Sequence, residues 1–225
     1  MTNLLLIDTA TNTCSVAISQ GSNILHQEMQ QGEKQHAKVL PSMVQQCLQA
    51  ANLKLNEINA VAISIGPGSY TGLRVGLSFV KGICTALKMP MISISTLEMM
   101  ACGMIEICKN ESAVYIPLID ARRMEVYAAA YNIELEIIEE PYPAIVSDDS
   151  WKNLLAENNK IIIGGTGALK TKTVFENHPK IFFVDDEICL AKYLLPIALR
   201  QFNQQQFSDV AYSEPFYLKE FNERI

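Results

Sequence analysis

Gly66-Pro67-Gly68-Ser69-Tyr70-Thr71-Gly72-Leu73-Arg74-Val75-Gly76 leaves the chain on either side of it few choices. The run before it, Ala60-Val61-Ala62-Ile63-Ser64-Ile65, is continuous and apolar, the pattern of a buried strand. The run after it takes a helical period as far as Lys88. The unit is therefore a strand, a glycine turn and a helix. Pro67 fixes its own φ, and the glycines admit positive φ or a close backbone approach. Such a turn presents N–H groups at a helix start, where an anion is favoured. The nucleotide fingerprints do not match. Glycines at 66, 68 and 72 give G-x-G-x-x-x-G, one residue longer than the dinucleotide motif. Leu73-Arg74 stand where a P-loop needs Lys-Ser/Thr. Spacing alone favours a turn that packs a helix on a sheet over a phosphate cradle.

The helix itself carries two patterns. Leu73, Leu77, Val80, Cys84 and Leu87 recur at helical spacing as one apolar stripe. Ser78, Gly82 and Ala86 lie four apart on another face, and Gly72 and Gly76 repeat that spacing a turn earlier. Glycine within a helix costs about 1 kcal/mol against alanine, so another backbone is expected to come close. Spacing leaves two occupants open, a helix of a partner chain or a second internal cover.

With 49% hydrophobic and 19% charged residues, the 225-residue chain has enough material for a real core, in one large or two small domains. No apolar run reaches the length of a membrane span, and Met1-Thr2-Asn3-Leu4 lacks the basic segment of a signal peptide. A net charge of −6 argues against gripping nucleic acid unaided, so any such role is expected to be indirect. The six cysteines, at 14, 47, 84, 102, 108 and 189, form no C-x-x-C pair. They read as buried thiols of a reducing cytoplasm.

In chain order, Leu4–Ile7, Cys14–Ser19 and Ile24–Met29 are expected strands joined by short turns, an antiparallel meander. Leu40, Met43, Val44, Cys47, Leu48 and Ala51 then mark an amphipathic helix with Pro41 near its start. After the central strand, turn and helix come a strand at Met91–Ile94 and a helix opened by the capping box Ser95-Thr96-Leu97-Glu98. A meander feeding right-handed β-α-β crossovers predicts one mixed sheet covered by helices. That is the ribonuclease-H-like core of the actin-like ATPase fold. The expected class is α/β, residues 113–225 reading as a second, less regular unit. The expected lobes are 1–109, carrying the partner-binding helices, and a smaller 110–225. In the second lobe, strands are expected at Val114–Ile119, Glu125–Ile133 and Lys160–Ile163. Pro141 and Pro143 should break the intervening pattern. Asp148-Asp149-Ser150 should cap a short helix, and Glu187–Phe202 should be a helix kinked at Pro196. No internal repeat is visible.

Candidate chemistry is sparse. Asp8 ends the first strand, where an actin-like fold would aim a carboxylate at nucleotide and magnesium; Thr9, Gly66 and Gly68 would complete that cradle. The competing reading of Asp8 is an Asx-type turn. His36 opens the first long helix, but Leu40 occupies the i+4 position of a helical metal pair, so no metal site is expected. Asp120 with Arg122, and Gly164-Gly165-Thr166-Gly167, read as turn structure ahead of phosphate contacts. No Ser/His/Asp or Cys/His nucleophile set stands out.

Four blocks carry a family resemblance: Ile7-Asp8-Thr9-Ala10 with Cys14-Ser15-Val16-Ala17, the G-P-G-S-Y-T-G-L-R block from Gly66, Asp120-Ala121-Arg122 with Glu125-Val126-Tyr127, and Pro215-Phe216-Tyr217-Leu218. Together, over nearly the whole chain, they resemble the TsaB family. These are the bacterial dimerization subunits of the tRNA threonylcarbamoyladenosine machinery. The resemblance implies an actin-like ATPase fold of two lobes, each holding a mixed sheet flanked by helices. It also implies a non-catalytic scaffold in the cytoplasm beside a paralogous catalytic subunit and a small ATPase subunit. Together these move threonylcarbamoyl from its adenylate to N6 of the adenosine 3′ of the anticodon, in tRNAs reading codons that begin with A. It implies a partner contact through N-lobe helices, expected at Gly72, Arg74, Val75, Gly76, Ser78, Phe79, Gly82 and Ala86. tRNA would be met only through the complex. ATP and magnesium would enter, if at all, within the complex, and a homodimer is the alternative when the partner is absent. Two departures stand out. Ala10 replaces the glycine frequent in the first phosphate loop of related ATPases. Lys219 replaces the arginine that usually ends the C-terminal motif, keeping the charge without the bidentate fork. A stand-alone actin-like ATPase or kinase is the second reading and a metallopeptidase the remote third.

Overall fold

The run Leu4–Ile7 is apolar at every position, so a strand made from it has two faces to bury, and the fold answers that demand. The computed structural model describes residues 1–32 and 35–219. The chain divides into two units, Met1–Met99 with Cys189–Phe216, and Met100–Ile188 with the segment from Tyr217. The division expected at 109/110 thus differs from this one, chiefly because Cys189–Phe216 returns to the first unit. Residues 220–225 of the expected second lobe lie outside the described residues.

In the first unit, β1 (Asn3–Asp8), β2 (Thr13–Gln20) and β3 (Asn23–Gln31) form the meander; β4 (Ala60–Ser64) and β5 (Met91–Ile94) add parallel to β1. The strand order is β3-β2-β1-β4-β5. Side chains alternate across a strand, so Leu5 and Ile7 of β1 point opposite to Leu4 and Leu6. Leu5 and Ile7 pack with Leu40, Val44 and Cys47 of α1 (His36–Ala50) and Leu77, Val80 and Cys84 of α2 (Tyr70–Leu87). The returning segment touches the same sheet: the 3₁₀ turn Ala191–Leu194 lies against β1, β2 and β4, and α6 (Leu195–Asn203) against β5. α3 (Thr96–Cys108) follows β5.

The second unit builds the same plan from a different sequence. β6 (Val114–Asp120), β7 (Glu125–Tyr131) and β8 (Ile137–Ile145) are an antiparallel meander; β9 (Ile161–Gly164) and β10 (Ile181–Val184) add parallel to β6. The order, β10-β9-β6-β7-β8, repeats that of the first sheet. α4 (Lys152–Glu157) and α5 (Ala168–Phe175) link the later strands. Leu118, Val126, Ile163, Trp151 and Phe175 belong to its core.

Four local expectations are corrected. Pro141 and Pro143 do not break a strand: β8 runs through both, as an edge strand permits, because a proline there forfeits only an outward donor. Pro196 does not kink a helix but starts one, at the first turn of α6, where its missing N–H has no partner to lose. Pro41 lies inside α1, which begins at His36. Ser150 caps nothing; α4 starts after Trp151, which takes a φ of 59°. None of the six cysteines is in a disulfide. Burial, with Asp8 beside it, pushes the Cys14 thiol up to about 12, and burial alone pushes Cys84 up to about 11. Among the described residues, no helix is long and apolar enough to cross a membrane.

Candidate functional site

α2 is framed at both ends by local chemistry. Ser69 is its N-cap, its hydroxyl accepting the Gly72 N–H at 3.2 Å. Lys88 closes it with a left-handed φ of 53°. Leu73, Leu77, Val80 and Cys84 are buried, as their spacing predicts; Leu87, in the last turn, is exposed.

The glycines of α2 divide into two groups. A Cβ on Gly72 would overlap the Thr9 carbonyl oxygen, and one on Gly76 would overlap Thr9 Oγ1. Thr9 is fully buried and donates its hydroxyl to the Gly72 carbonyl at 2.9 Å. These two glycines therefore let the helix sit directly on the end of β1. Gly72 and Gly76 belong to the protein's own packing and not to an exposed contact face, a correction to their place in the expected interface. Gly82 is the opposite case: among the described residues nothing lies within 4 Å of a Cβ placed there. Arg74, Ser78, Gly82 and Ala86 are exposed, and Val75 and Phe79 are half-buried. The tail comes near, since Lys81 Nζ donates to the carbonyls of Ala211 (2.9 Å) and Ser213 (3.1 Å), yet it leaves Gly82 open.

A groove of about 380 Å³ runs between the two helices, lined by Ala37 and Pro41 of α1 and Arg74, Val75, Ser78 and Phe79 of α2. The Arg74 guanidinium lies 4.0 Å from the Tyr70 ring centroid, which holds it along the groove rim. Within α1 and α2 the charged residues are Lys38, Arg74 and Lys81, with no carboxylate, in a chain of net charge −6. The face is thus apolar at its centre and basic at its edge.

The residues expected to cradle a nucleotide are brought together, but for packing. Asp8 is fully buried. Its Oδ1 accepts the Ser64 hydroxyl and the Ala10 N–H (3.1 Å), and Cys189 Sγ donates to its Oδ2 at 3.4 Å. Thr9 is spent on Gly72. A Cβ on Gly68 would overlap the Ala10 carbonyl, and one on Gly66 the Phe216 carbonyl. The Gly66 N–H donates to Thr96 Oγ1 at 3.0 Å, the Ser69 N–H to the Ala10 carbonyl at 2.7 Å, and the Phe216 N–H to the Ile65 carbonyl at 2.7 Å. The loop is a hub that ties β1, β4, α2, α3 and the tail together. Asp8, Thr9, Gly66 and Gly68 do not fit a triphosphate and its magnesium: no carboxylate oxygen faces outward, and the glycines' free space is filled by backbone.

His36 is buried, and among the described residues its Nε2 has no hydrogen-bond partner. Among the described residues no three His, Cys, Asp or Glu side chains are grouped to hold a metal.

In the second unit, Asp120 pins a turn. Its Oδ1 accepts the Arg122 N–H at 2.6 Å and Lys170 Nζ at 2.5 Å, and its own N–H donates to Thr166 Oγ1 at 3.0 Å. Burial pushes the Asp120 carboxyl up, but Lys170 and the Arg122 N–H outweigh it and hold the group below the usual carboxylate range. Gly165 and Gly167 give way to Leu118 of β6, so that loop is also packing. Lys219 pairs with Glu125, a use of the charge that needs no guanidinium fork. Spacing gave no hint that Arg122 and Arg123 would adopt positive φ, at 72° and 50°.

The family model described as TsaD, tRNA N6-adenosine threonylcarbamoyltransferase, matches residues 23–214. The tRNA threonylcarbamoyladenosine biosynthesis protein TsaB of Escherichia coli (strain K12) is 32% identical over 222 residues, spanning 96% of this chain and 94% of that protein. The solved structure of YeaZ from Pseudomonas aeruginosa matches with a TM-score of 0.80 at 26% identity, over 97% of this chain and 100% of that one. A ROK hexokinase from Thermus thermophilus matches with a TM-score of 0.51 at 10% identity, over 89% of this chain and 99% of that one, a likeness of fold alone.

Proposed function

Because the chain belongs to the TsaB family of tRNA threonylcarbamoyladenosine biosynthesis proteins, we propose that it is a non-catalytic subunit of that machinery, pairing with and stabilising a paralogous catalytic subunit. The observation that carries this reading is the open small-residue face of α2, at Ser78, Gly82 and Ala86, beside the groove shared with α1. Packed helices lie about 8–10 Å apart, and small side chains at the contact allow the close end of that range. The apolar centre and basic rim suit a partner helix with an acidic edge. Both helices belong to the first unit, which we take as the partner-binding lobe. The same face would serve a homodimer when the paralogue is absent. A net charge of −6 supports contact with tRNA through the complex only. Six cysteines outside any disulfide support work in the cytoplasm. The small ATPase subunit then supplies any ATP and magnesium chemistry. Transfer of threonylcarbamoyl to N6 of the tRNA adenosine belongs to the paralogue.

Reconstitution tests this: the catalytic paralogue, the ATPase subunit and tRNA should modify the adenosine with this chain present and lose most turnover without it. Equal turnover in its absence would overturn the reading.

Calorimetry separates the ATPase reading. With Asp8 closed by Ser64 and Cys189, titration of ATP and magnesium into the isolated chain should release no binding heat. Saturable binding with phosphate release would restore an independent ATPase.

A further inference from the structure

A second groove, of about 520 Å³, lies wholly within the second unit, lined by Ala121, Arg122, Arg123, Met124, Glu125 and Ile145. We propose that it docks a protein segment in which carboxylates alternate with bulky aliphatic side chains. This is independent of the α1–α2 face.

The charge argument begins with what is already paired. Four cations and two carboxylates meet here. Lys170 holds Asp120, and Lys219 holds Glu125. Both acids are therefore engaged by lysines, and among the described residues neither Arg122 nor Arg123 has an ion-pair partner. Two exposed guanidiniums thus stand outside the described ion pairs of an acidic protein, with Arg122 acting on Asp120 only through longer-range attraction.

The turn that presents them is held in place. Arg122 and Arg123 both take left-handed φ, which side chains rarely adopt. Lys170, its side chain only 15% exposed, donates through Nζ to the carbonyls of Arg123 (2.7 Å) and Glu125 (2.9 Å). The Ala121 N–H reaches the Glu125 carbonyl at 3.0 Å, and the Val146 N–H reaches the Met124 carbonyl at 2.8 Å. A fixed turn spares a ligand the cost of ordering it.

The walls choose the ligand. Met124 is 41% exposed and Ile145 73%, so aliphatic surface adjoins the guanidiniums. Arginine and methionine are enriched where proteins bind proteins. Single-stranded RNA would want aromatic rings to stack on, and none lines this groove. A second copy adding its β8 edge is also disfavoured, since Pro141 and Pro143 remove N–H donors from that strand.

The test uses the full chain with methyl-labelled methionine, followed by NMR, and a soluble peptide of alternating glutamate and leucine. The peptide should shift the Met124 methyl saturably, while a glutamine–leucine peptide leaves it in place. The double variant Arg122→Gln with Arg123→Gln should weaken binding about tenfold or more. Ile145→Ser, at an exposed position that folding does not need, should weaken it too. An unmoved Met124 methyl, or unchanged binding by both variants, would overturn the proposal. So would a shift produced by oligouridylate RNA and not by the peptide, which would make this a nucleic-acid site.

Discussion

Gly72→Ala destabilises the first unit by about 2–3 kcal/mol, while Gly82→Ala, further along the same helix, leaves it unchanged or firmer by up to about 1 kcal/mol. The substitution is chemically identical at the two sites, and propensity alone predicts stabilisation at both. Their surroundings reverse the outcome. At Gly72 the new methyl meets the Thr9 carbonyl, a backbone atom whose movement would drag the end of β1 with it. Thr9 would also lose its 2.9 Å hydrogen bond to the Gly72 carbonyl while remaining buried. At Gly82 the methyl meets nothing. Natural domains keep only about 5–15 kcal/mol in hand, so the first effect is a large share of the total. The single tryptophan, Trp151, lies in the second unit and would not report it. Amide exchange along β1 and β4 during urea unfolding follows the right unit. Equal shifts in the two variants would remove the basis for dividing the glycines of α2.

That division marks the limit of what periodicity conveys. Spacing placed Ser78, Gly82 and Ala86 on one face and the apolar stripe on another; both placements hold except at Leu87, which is exposed. It could not tell that Gly72 and Gly76 face Thr9, because the neighbour comes from a strand sixty-odd positions earlier, |i−j| 63 for the Thr9 bond. The same distance hides the fate of Asp8. A carboxylate at a strand end looks available until Cys189, 181 positions away, donates to it. The first sheet was readable because its strands are apolar runs bounded by turn residues. A mixed sheet in the second lobe was expected and is present, but its strand order was not readable, since order is set by which edges pair and leaves no mark on residue identity. β10 went unread although Ile181-Phe182-Phe183-Val184 is an apolar run as long as β5 and β9, which were read. Lys219 reads in sequence as a weakened anchor. In the fold its ammonium meets Glu125, a partner that a point charge satisfies as well as a fork does.

Gly82→Trp should leave the isolated chain folded and weaken its complex with the catalytic paralogue about a hundredfold or more. A Cβ there has no described atom within 4 Å, so the indole starts from open helix surface. It does cover the neighbouring small-residue strip. Tryptophan buries 150–250 Å² when packed, and a helix held off by that bulk cannot reach the close spacing that Ser78 and Ala86 permit. The groove beside Val75 and Phe79 would then gape, leaving its apolar floor wet, and the lost burial supplies the weakening. Size-exclusion co-elution with the purified paralogue reads the result, with Glu134→Trp as the control: the same bulk on an exposed turn of the second unit, expected to co-elute normally. Amide exchange on both variants separates lost pairing from lost folding. Normal co-elution of a folded Gly82→Trp chain would move the partner surface off α2 altogether, since no helix can lie against that strip with an indole in the way.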